Sequence, residues 1–195
     1  MVYRIAKILG FLPFNLLFRI QITGAGNVPK SGGVIVCANH ANALDPIFVG
    51  LAVRRNLRFI GKKELFKNKA LAFFFRALGA FPVDRENADI AAYKTTIKIL
   101  QNGEVLLLFL QGSRQKTIEL SNNKTGAAFF GIKAKAPIVP IGITTSYKLF
   151  SKVKIQVGKP IHLDQYAGAR LKTELLNEVT EETMRQIIEL TGEKA

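Results

Sequence analysis

Short runs of apolar, often β-branched residues alternate with helical patterns along most of the chain. The apolar runs cover residues 33–38, 57–60, 105–110 and 138–143, and the helical patterns cover residues 46–53, 67–78, 88–101 and 127–134. Continuous apolar strands suit a sheet that is buried on both faces. Their alternation with helices predicts an α/β fold with a mainly parallel central sheet flanked by helices. In such sheets ligands bind at the carboxyl ends of the strands.

The length of 195 residues fits one globular domain, which we place at residues 23–195. The single cysteine, Cys37, excludes an internal disulfide framework and a zinc site built from several cysteines. A fold that needs no oxidising compartment is therefore expected, and we predict no metal site.

The N-terminal segment, residues 1–22, is apolar but is interrupted by Gly10, Pro13 and Asn15 and flanked by Arg4, Lys7 and Arg19. A helix that spans a bilayer needs about 20 predominantly apolar residues. The pattern therefore favours a helical segment that lies at a membrane interface. A core helix of the globular domain is the alternative.

The net charge of +14 indicates an anionic partner, and nucleic acid, anionic lipid and acidic carrier protein are all candidates. Residues 1–160 carry 24 of the 28 basic residues but 7 of the 14 acidic ones. The acidic tail that follows predicts an amphipathic helix packed over the core. Its buried stripe would consist of Leu171, Leu175, Leu176, Val179, Met184, Ile187 and Ile188.

His40 and Asp45 stand where the first apolar run gives way to a helical pattern. An imidazole can take a proton from an alcohol near neutral pH when a carboxylate fixes its tautomer. The pair therefore predicts a general base, His40, oriented by Asp45. The alternative is that Asp45 and Pro46 are an ordinary N-cap and first residue of a helix.

Four segments, in order along residues 39–141, resemble the conserved blocks of the glycerolipid acyltransferases. They are Asn39-His40 with Asp45 five residues after the histidine, Gly79 to Arg85, Gln111-Gly112-Ser113-Arg114, and Ala136 to Ile141. The match is closest to the bacterial PlsC-type 1-acyl-glycerol-3-phosphate acyltransferases. One block departs from the family, because Gln111 stands where the family has glutamate.

The resemblance implies roles for further residues. Arg85 and Arg114 would bind the phosphate of the acceptor, because guanidinium groups can hold a phosphate bidentately. Lys62 resembles a family lysine near the same phosphate. The loop of Gln111, Gly112 and Ser113 could offer N–H groups to an anion or to the oxyanion of the reaction.

The implied reaction is transfer of a fatty acyl group from acyl-CoA or acyl carrier protein to the free hydroxyl of lysophosphatidate, which forms phosphatidate in phospholipid biosynthesis. No cofactor is expected beyond the thioester co-substrate. The alternative nucleophiles are Ser113, which lacks the Gly-x-Ser-x-Gly spacing, and Cys37, which lies in an apolar run and is better interpreted as an inert, packed thiol. Another lysolipid remains open as the acceptor.

Basic and aromatic residues interleave between positions 54 and 76, which suits an anionic membrane surface, although part of this charge could bind an acyl carrier protein. The basic residues are Arg54, Arg55, Arg58, Lys62, Lys63, Lys67, Lys69 and Arg76, and the aromatic ones are Phe66, Phe73, Phe74 and Phe75. We expect a peripheral or monotopic protein on the cytoplasmic face of the cell membrane. The rival interpretation is a binding module for anionic lipid or single-stranded nucleic acid without catalysis. Nucleic acid is disfavoured because no nucleic-acid motif is present.

Overall fold

The computed structural model describes residues 14–84, 89–115, 117–120 and 123–192. Within these ranges the chain forms a seven-stranded sheet. Its strands are β1 Arg19–Thr23, β2 Val34–Ala38, β3 Leu57–Lys62, β4 Ala80–Val83, β5 Val105–Phe109, β6 Ile138–Thr145 and β7 Lys152–Val157.

Helices flank this sheet, as the alternating pattern predicts. They are α1 Asp45–Ala52, α2 Lys69–Ala77, α3 Ile90–Gln101, α4 Gly126–Ala134 and α5 Thr173–Thr191. In the part of the chain that the structure describes, none of them combines the length and the apolar composition needed to cross a membrane.

The strand order is β1-β7-β6-β2-β5-β3-β4. The five strands from β6 to β4 are parallel to one another, β7 is antiparallel to β6, and β1 is parallel to β7. The predicted α/β fold with a mainly parallel sheet is confirmed. Every apolar run identified in the sequence forms one of the central strands β2, β3, β5 and β6.

Burial on both faces explains the continuous apolar character of these strands. Val34, Val36 and Ala38 of β2 belong to a core cluster on one face, together with Phe48 of α1. Ile35 and Cys37 belong to the cluster on the other face. Helix α5 buries Val179, Met184, Ile187 and Ile188 in that second cluster, and Leu171, Leu175 and Leu176 pack against it. The predicted amphipathic tail is therefore confirmed.

The N-terminal segment differs from its predicted form. Residues 19–22 belong to strand β1, which pairs with β7, so the prediction of a helix up to residue 22 is wrong there. Phe18 is buried, and its ring centroid lies 5.4 Å from that of Phe48, edge to face. Residues 1–13 lie outside the described residues.

Candidate active site

The sequence motifs meet at one edge of the sheet, where the parallel strands end. His40 follows β2, and the loop of Gln111 to Arg114 follows β5, which is the neighbour of β2. The buried amide of Asn39 exchanges two hydrogen bonds with the backbone of Ile143 in β6, at 2.8 and 2.9 Å. These bonds fix the residue before His40 to β6, which borders β2 on the side away from β5.

His40 and Asp45 form the predicted pair. The Nδ1 atom of His40 lies 3.0 Å from Oδ2 of Asp45, and the carboxylate is fully buried. Because an ionised carboxylate only accepts, Nδ1 carries the hydrogen and Nε2 keeps its lone pair. The pair therefore leaves Nε2 as the atom that can take up a proton.

The Asp45 side chain turns back toward the loop that precedes its helix. Oδ2 accepts from the backbone N–H groups of Ala41 and Asn42, at 2.8 and 2.7 Å. Asp45 is the first residue of α1, whose N-cap is Leu44, and the helix has no side-chain cap. The alternative that Asp45 is an ordinary N-cap is therefore wrong, because the carboxylate binds the histidine loop instead.

The imidazole of His40 is held between a carboxylate and an aromatic ring. It stacks on Phe109, the last residue of β5, with ring centroids 3.9 Å apart and planes inclined by 16°. Its side chain is 16% exposed, so a substrate can reach it. Two planar contacts, one edge-on to Asp45 and one face-on to Phe109, fix the direction of Nε2.

Gln111 connects the two loops of the site. Its Oε1 accepts the backbone N–H of His40 at 2.7 Å, which identifies the other amide atom as nitrogen. That nitrogen donates to the carbonyl of Thr117 at 3.1 Å and to Oε1 of Gln115 at 3.2 Å. The backbone N–H of Gln115 donates to the His40 carbonyl at 2.8 Å. Both the N–H and the carbonyl of His40 are therefore hydrogen-bonded to the loop after β5.

Two of the three residues predicted to form an anion-binding or oxyanion loop direct N–H groups at protein acceptors. The amide hydrogens of Gln111 do so as described above, and the backbone N–H of Gly112 donates to the Phe109 carbonyl at 3.1 Å. Gly112 adopts φ 70, a conformation that favours glycine. Ser113 is exposed beside it.

The predicted phosphate-binding residues are brought together in part. Arg114 is exposed in the loop that is tied to His40. Lys62, also exposed, ends β3, and the register of Phe59 opposite Leu107 places it level with the start of that loop. Arg85 lies outside the described residues.

The basic block between positions 54 and 76 does not form one surface. Arg55 precedes β3 at its amino end and donates to the carbonyls of Pro29, Gly32 and Gly103. Arg58 lies 3.8 Å from Glu104, at the same end. These two arginines therefore stabilise loops at the sheet edge opposite the His40 pair. Lys62, at the other end of β3, lies at the same edge as the His40 pair.

Tyr147 is a site residue that the sequence did not reveal. It follows β6, and its hydroxyl donates to Oδ1 of Asp45 at 2.8 Å. Burial and the neighbouring Asp45 raise the pKa of this hydroxyl, so it remains protonated. No short motif contains both residues, and 102 positions separate them.

Cys37 is fully buried in β2, and burial raises the pKa of its thiol far above the usual value. A neutral, enclosed thiol is a poor nucleophile. The geometry thus agrees with the prediction that Cys37 is a packed side chain.

Comparison with known proteins identifies the family. The family model described as Acyltransferase matches residues 19–144. The 1-acyl-sn-glycerol-3-phosphate acyltransferase of Bacillus subtilis (strain 168) is 34% identical over 177 residues, which cover 88% of this chain and 87% of that protein. The protein of the same name from Streptococcus pneumoniae is 34% identical over 136 residues, or 66% of this chain and 50% of that protein.

A solved structure supports the fold. The crystal structure of the 1-acyl-sn-glycerophosphate (LPA) acyltransferase PlsC from Thermotoga maritima has a TM-score of 0.76 and 23% sequence identity, with 99% of this chain and 81% of that chain covered. The matched family region contains His40, Asp45, Lys62 and Arg114. The chain therefore belongs to the acyltransferase family.

Proposed function

We propose that this protein transfers a fatty acyl group from an acyl thioester to the free hydroxyl of lysophosphatidate, which yields phosphatidate. The observation that carries the proposal is the 3.0 Å contact between His40 Nδ1 and the buried Asp45 carboxylate, at the sheet edge that also carries Lys62 and Arg114. The names of the Bacillus subtilis and Streptococcus pneumoniae relatives support this choice of acceptor.

The reaction requires one proton carrier. Nε2 of His40 takes the proton of the acceptor hydroxyl, whose oxygen attacks the carbonyl carbon of the thioester. The new C–O bond gives a tetrahedral oxyanion, and its collapse breaks the C–S bond. The departing thiolate then takes the proton from Nε2, which restores the neutral imidazole. The Asp45 carboxylate stabilises the imidazolium while it exists.

Direct transfer agrees with the surroundings of the alternative nucleophiles. Cys37 is enclosed in the core, and Ser113 is exposed in the loop that follows β5. A covalent acyl-enzyme is therefore not part of the proposal. The only co-substrate is the thioester, carried by CoA or by an acyl carrier protein, and no resident cofactor is included.

We also propose that the protein works as a peripheral or monotopic protein at the cytoplasmic face of the membrane. Helix α2 supports this proposal, because Leu71, Phe73 and Phe74 are 48%, 77% and 55% exposed. Lys67, Lys69 and Arg76 are exposed on and beside the same helix. Apolar side chains flanked by cations favour an anionic lipid surface.

The proposed function is tested with the purified full chain. Lysophosphatidate, lysophosphatidylcholine and lysophosphatidylglycerol are offered in anionic vesicles with either palmitoyl-CoA or palmitoyl acyl carrier protein, and the products are identified by mass spectrometry. We expect phosphatidate as the main product. Preference for another lysolipid would contradict the acceptor, and vesicle binding without turnover on any pair would favour the non-catalytic binding module.

A further inference from the structure

We infer that Tyr147 is a positioning residue for acyl transfer, because its hydroxyl holds the Asp45 carboxylate in the rotation from which Oδ2 binds the His40 ring. This inference rests on the proposed function. Asp45 receives four hydrogen bonds, three of them on Oδ2 and one, from Tyr147, on Oδ1 at 2.8 Å. Tyr147 therefore fixes the second oxygen, which the histidine loop leaves unbound.

The backbone conformation at Tyr147 directs its hydroxyl toward Asp45. Tyr147 lies in the connection between β6 and β7 with φ 57, a left-handed conformation that is unfavourable for a bulky side chain. Its N–H donates to Oγ1 of Thr145 at 3.2 Å, and that oxygen lies 3.3 Å from Oγ of Ser151. Such conformations persist where the surroundings impose them, and they cluster at functional sites.

The ring of Tyr147 is also held against α1, the helix that Asp45 begins. Its centroid lies 6.5 Å from that of Phe48, with the planes inclined by 31°. Phe48 is fully buried in the core, so this contact provides a rigid support. The hydroxyl and the ring thus bind the same helix at two points, one turn apart.

The phenol of Tyr147 is suited to act as a constant hydrogen-bond donor to Asp45. A raised pKa keeps the hydroxyl protonated, so it donates to Asp45 without adding a charge. Tyr147 lies three positions beyond the matched family region, which ends at residue 144. The role is therefore inferred from this chain's own geometry.

The test compares Tyr147→Phe with a matched control, Tyr93→Phe. Tyr93 is half-buried against Phe129 and Phe130, and Phe130 packs on the core cluster of the sheet face opposite to that of Tyr147. For Tyr147→Phe we expect kcat to fall about tenfold, while KM for both substrates changes less than twofold, because the hydroxyl acts on the base and not on binding. Tyr93→Phe should keep the wild-type kcat.

A second measurement separates positioning from packing. The pKa of His40 is followed by NMR titration of its ring nitrogens in the wild type and in both variants. Release of the Asp45 carboxylate weakens its contact with the imidazolium, so the His40 pKa should fall in Tyr147→Phe only. Charged side chains of the neighbouring elements, among them Lys62, Arg114, Lys124 and Lys148, are the same in all three proteins.

The outcomes are distinct. A Tyr147→Phe variant that keeps more than half of the wild-type kcat with an unchanged His40 pKa would overturn the inference. A wild type that transfers no acyl group would refute the proposed function instead. The titration would then test the positioning of His40 by itself, because a lowered His40 pKa in Tyr147→Phe would support it and an unchanged or raised pKa would refute it.

Discussion

The backbone N–H of His40 donates to Oε1 of Gln111 at 2.7 Å, so the loop after β5 holds the loop after β2. Gln111 is 5% exposed, and its amide nitrogen is engaged by Thr117 and Gln115. Glutamate, which the resemblance to the glycerolipid acyltransferases leads us to expect at this position, could accept from His40 but could not donate to the Thr117 carbonyl. Glutamine therefore fits the hydrogen-bond partners that this chain provides.

Gln111→Glu should lower stability more than it changes catalysis. Loss of two donated bonds and placement of a carboxylate near a carbonyl should cost about 1–3 kcal/mol of the free energy of unfolding. For a chain of this size the melting temperature would fall by roughly 2–4 °C per kcal/mol. The value of kcat/KM for lysophosphatidate should change less than about tenfold, or 1.4 kcal/mol.

The control for this change is Gln21→Glu, an exposed substitution in β1 that alters the charge by the same amount. It should leave both the melting temperature and kcat/KM nearly unchanged. A hundredfold rise in kcat/KM for Gln111→Glu would show that glutamine attenuates the natural enzyme. A change of preferred headgroup would show that position 111 selects the acceptor.

Asp45→Asn should preserve the fold and remove most of the activity. The asparagine oxygen can take the place of Oδ2, and its nitrogen can donate to the Tyr147 oxygen, because a phenol accepts as well as donates. The negative charge that stabilises the imidazolium is lost, so we expect kcat to fall at least 100-fold. Stopped-assay kinetics and thermal melting check both parts, and a loss below tenfold would refute this role of Asp45.

Replacement of Arg114 by alanine should weaken binding of the acceptor. We expect KM for lysophosphatidate to rise at least tenfold, while KM for the thioester changes little, because the guanidinium is proposed to bind the phosphate. Arg114→Lys should restore binding only in part, since lysine lacks the bidentate geometry. Arg170→Ala, at another exposed position, is the control. Equal rises in both KM values would indicate a structural role.

The sequence motif of Arg85 predicts the same role for it as for Arg114, which is to bind the acceptor phosphate. Arg85→Ala should raise KM for lysophosphatidate selectively, as Arg114→Ala does. If both arginines bind one phosphate, the double variant should lose less affinity than the two single losses added together, because residues that share a partner couple. Full additivity would place the two side chains at separate sites.

The central strands and the His40 pair could be predicted from the sequence because their signals are local. Strands β2, β5 and β6 are buried on both faces and are continuous apolar runs. His40 and Asp45 are only five positions apart, at the two ends of the connection from β2 to α1. Strands β1 and β7 contain no such apolar run, because they alternate exposed with more buried residues, as in Lys-Val-Lys-Ile-Gln-Val. That alternation is the pattern of a half-buried strand, and it could have identified them.

Other features depend on tertiary contacts that no local pattern encodes. Strand β4 has four residues and contains Pro82, which disfavours a strand in a sequence analysis. The bond from His40 to Gln111 depends on the register of β2 against β5. Tyr147 reaches Asp45 through a left-handed backbone that sequence alone would assign to glycine or asparagine.

The membrane proposal predicts separate effects for two parts of the chain. Deletion of residues 1–13 should lower co-sedimentation with anionic vesicles and activity on vesicle-borne substrate. The deletion stops before Phe14 and Phe18, because their rings pack with Phe48 in the core. Activity on a soluble short-chain acceptor should survive. Unfolding of the truncated protein would show that the removed segment belongs to the core.

The second part is helix α2. The double variant Phe73→Ser and Phe74→Ser should reduce vesicle affinity at least tenfold, because each buried phenyl ring contributes about 1.5–3 kcal/mol. Ile90→Ser, which removes a 67% exposed apolar side chain from α3, is the control and should bind as the wild type does. Unchanged vesicle affinity of the double variant would show that α2 does not contact the membrane.

The most direct test of the account is the turnover of His40→Ala in the lysophosphatidate transfer assay. Asp45 keeps its bonds from Ala41, Asn42 and Tyr147 in this variant, so the fold should persist and melt close to the wild-type temperature. Loss of the general base should lower kcat by roughly 10² to 10⁴-fold. A folded His40→Ala protein that retains more than a tenth of the wild-type turnover would contradict the assignment of His40 as the base.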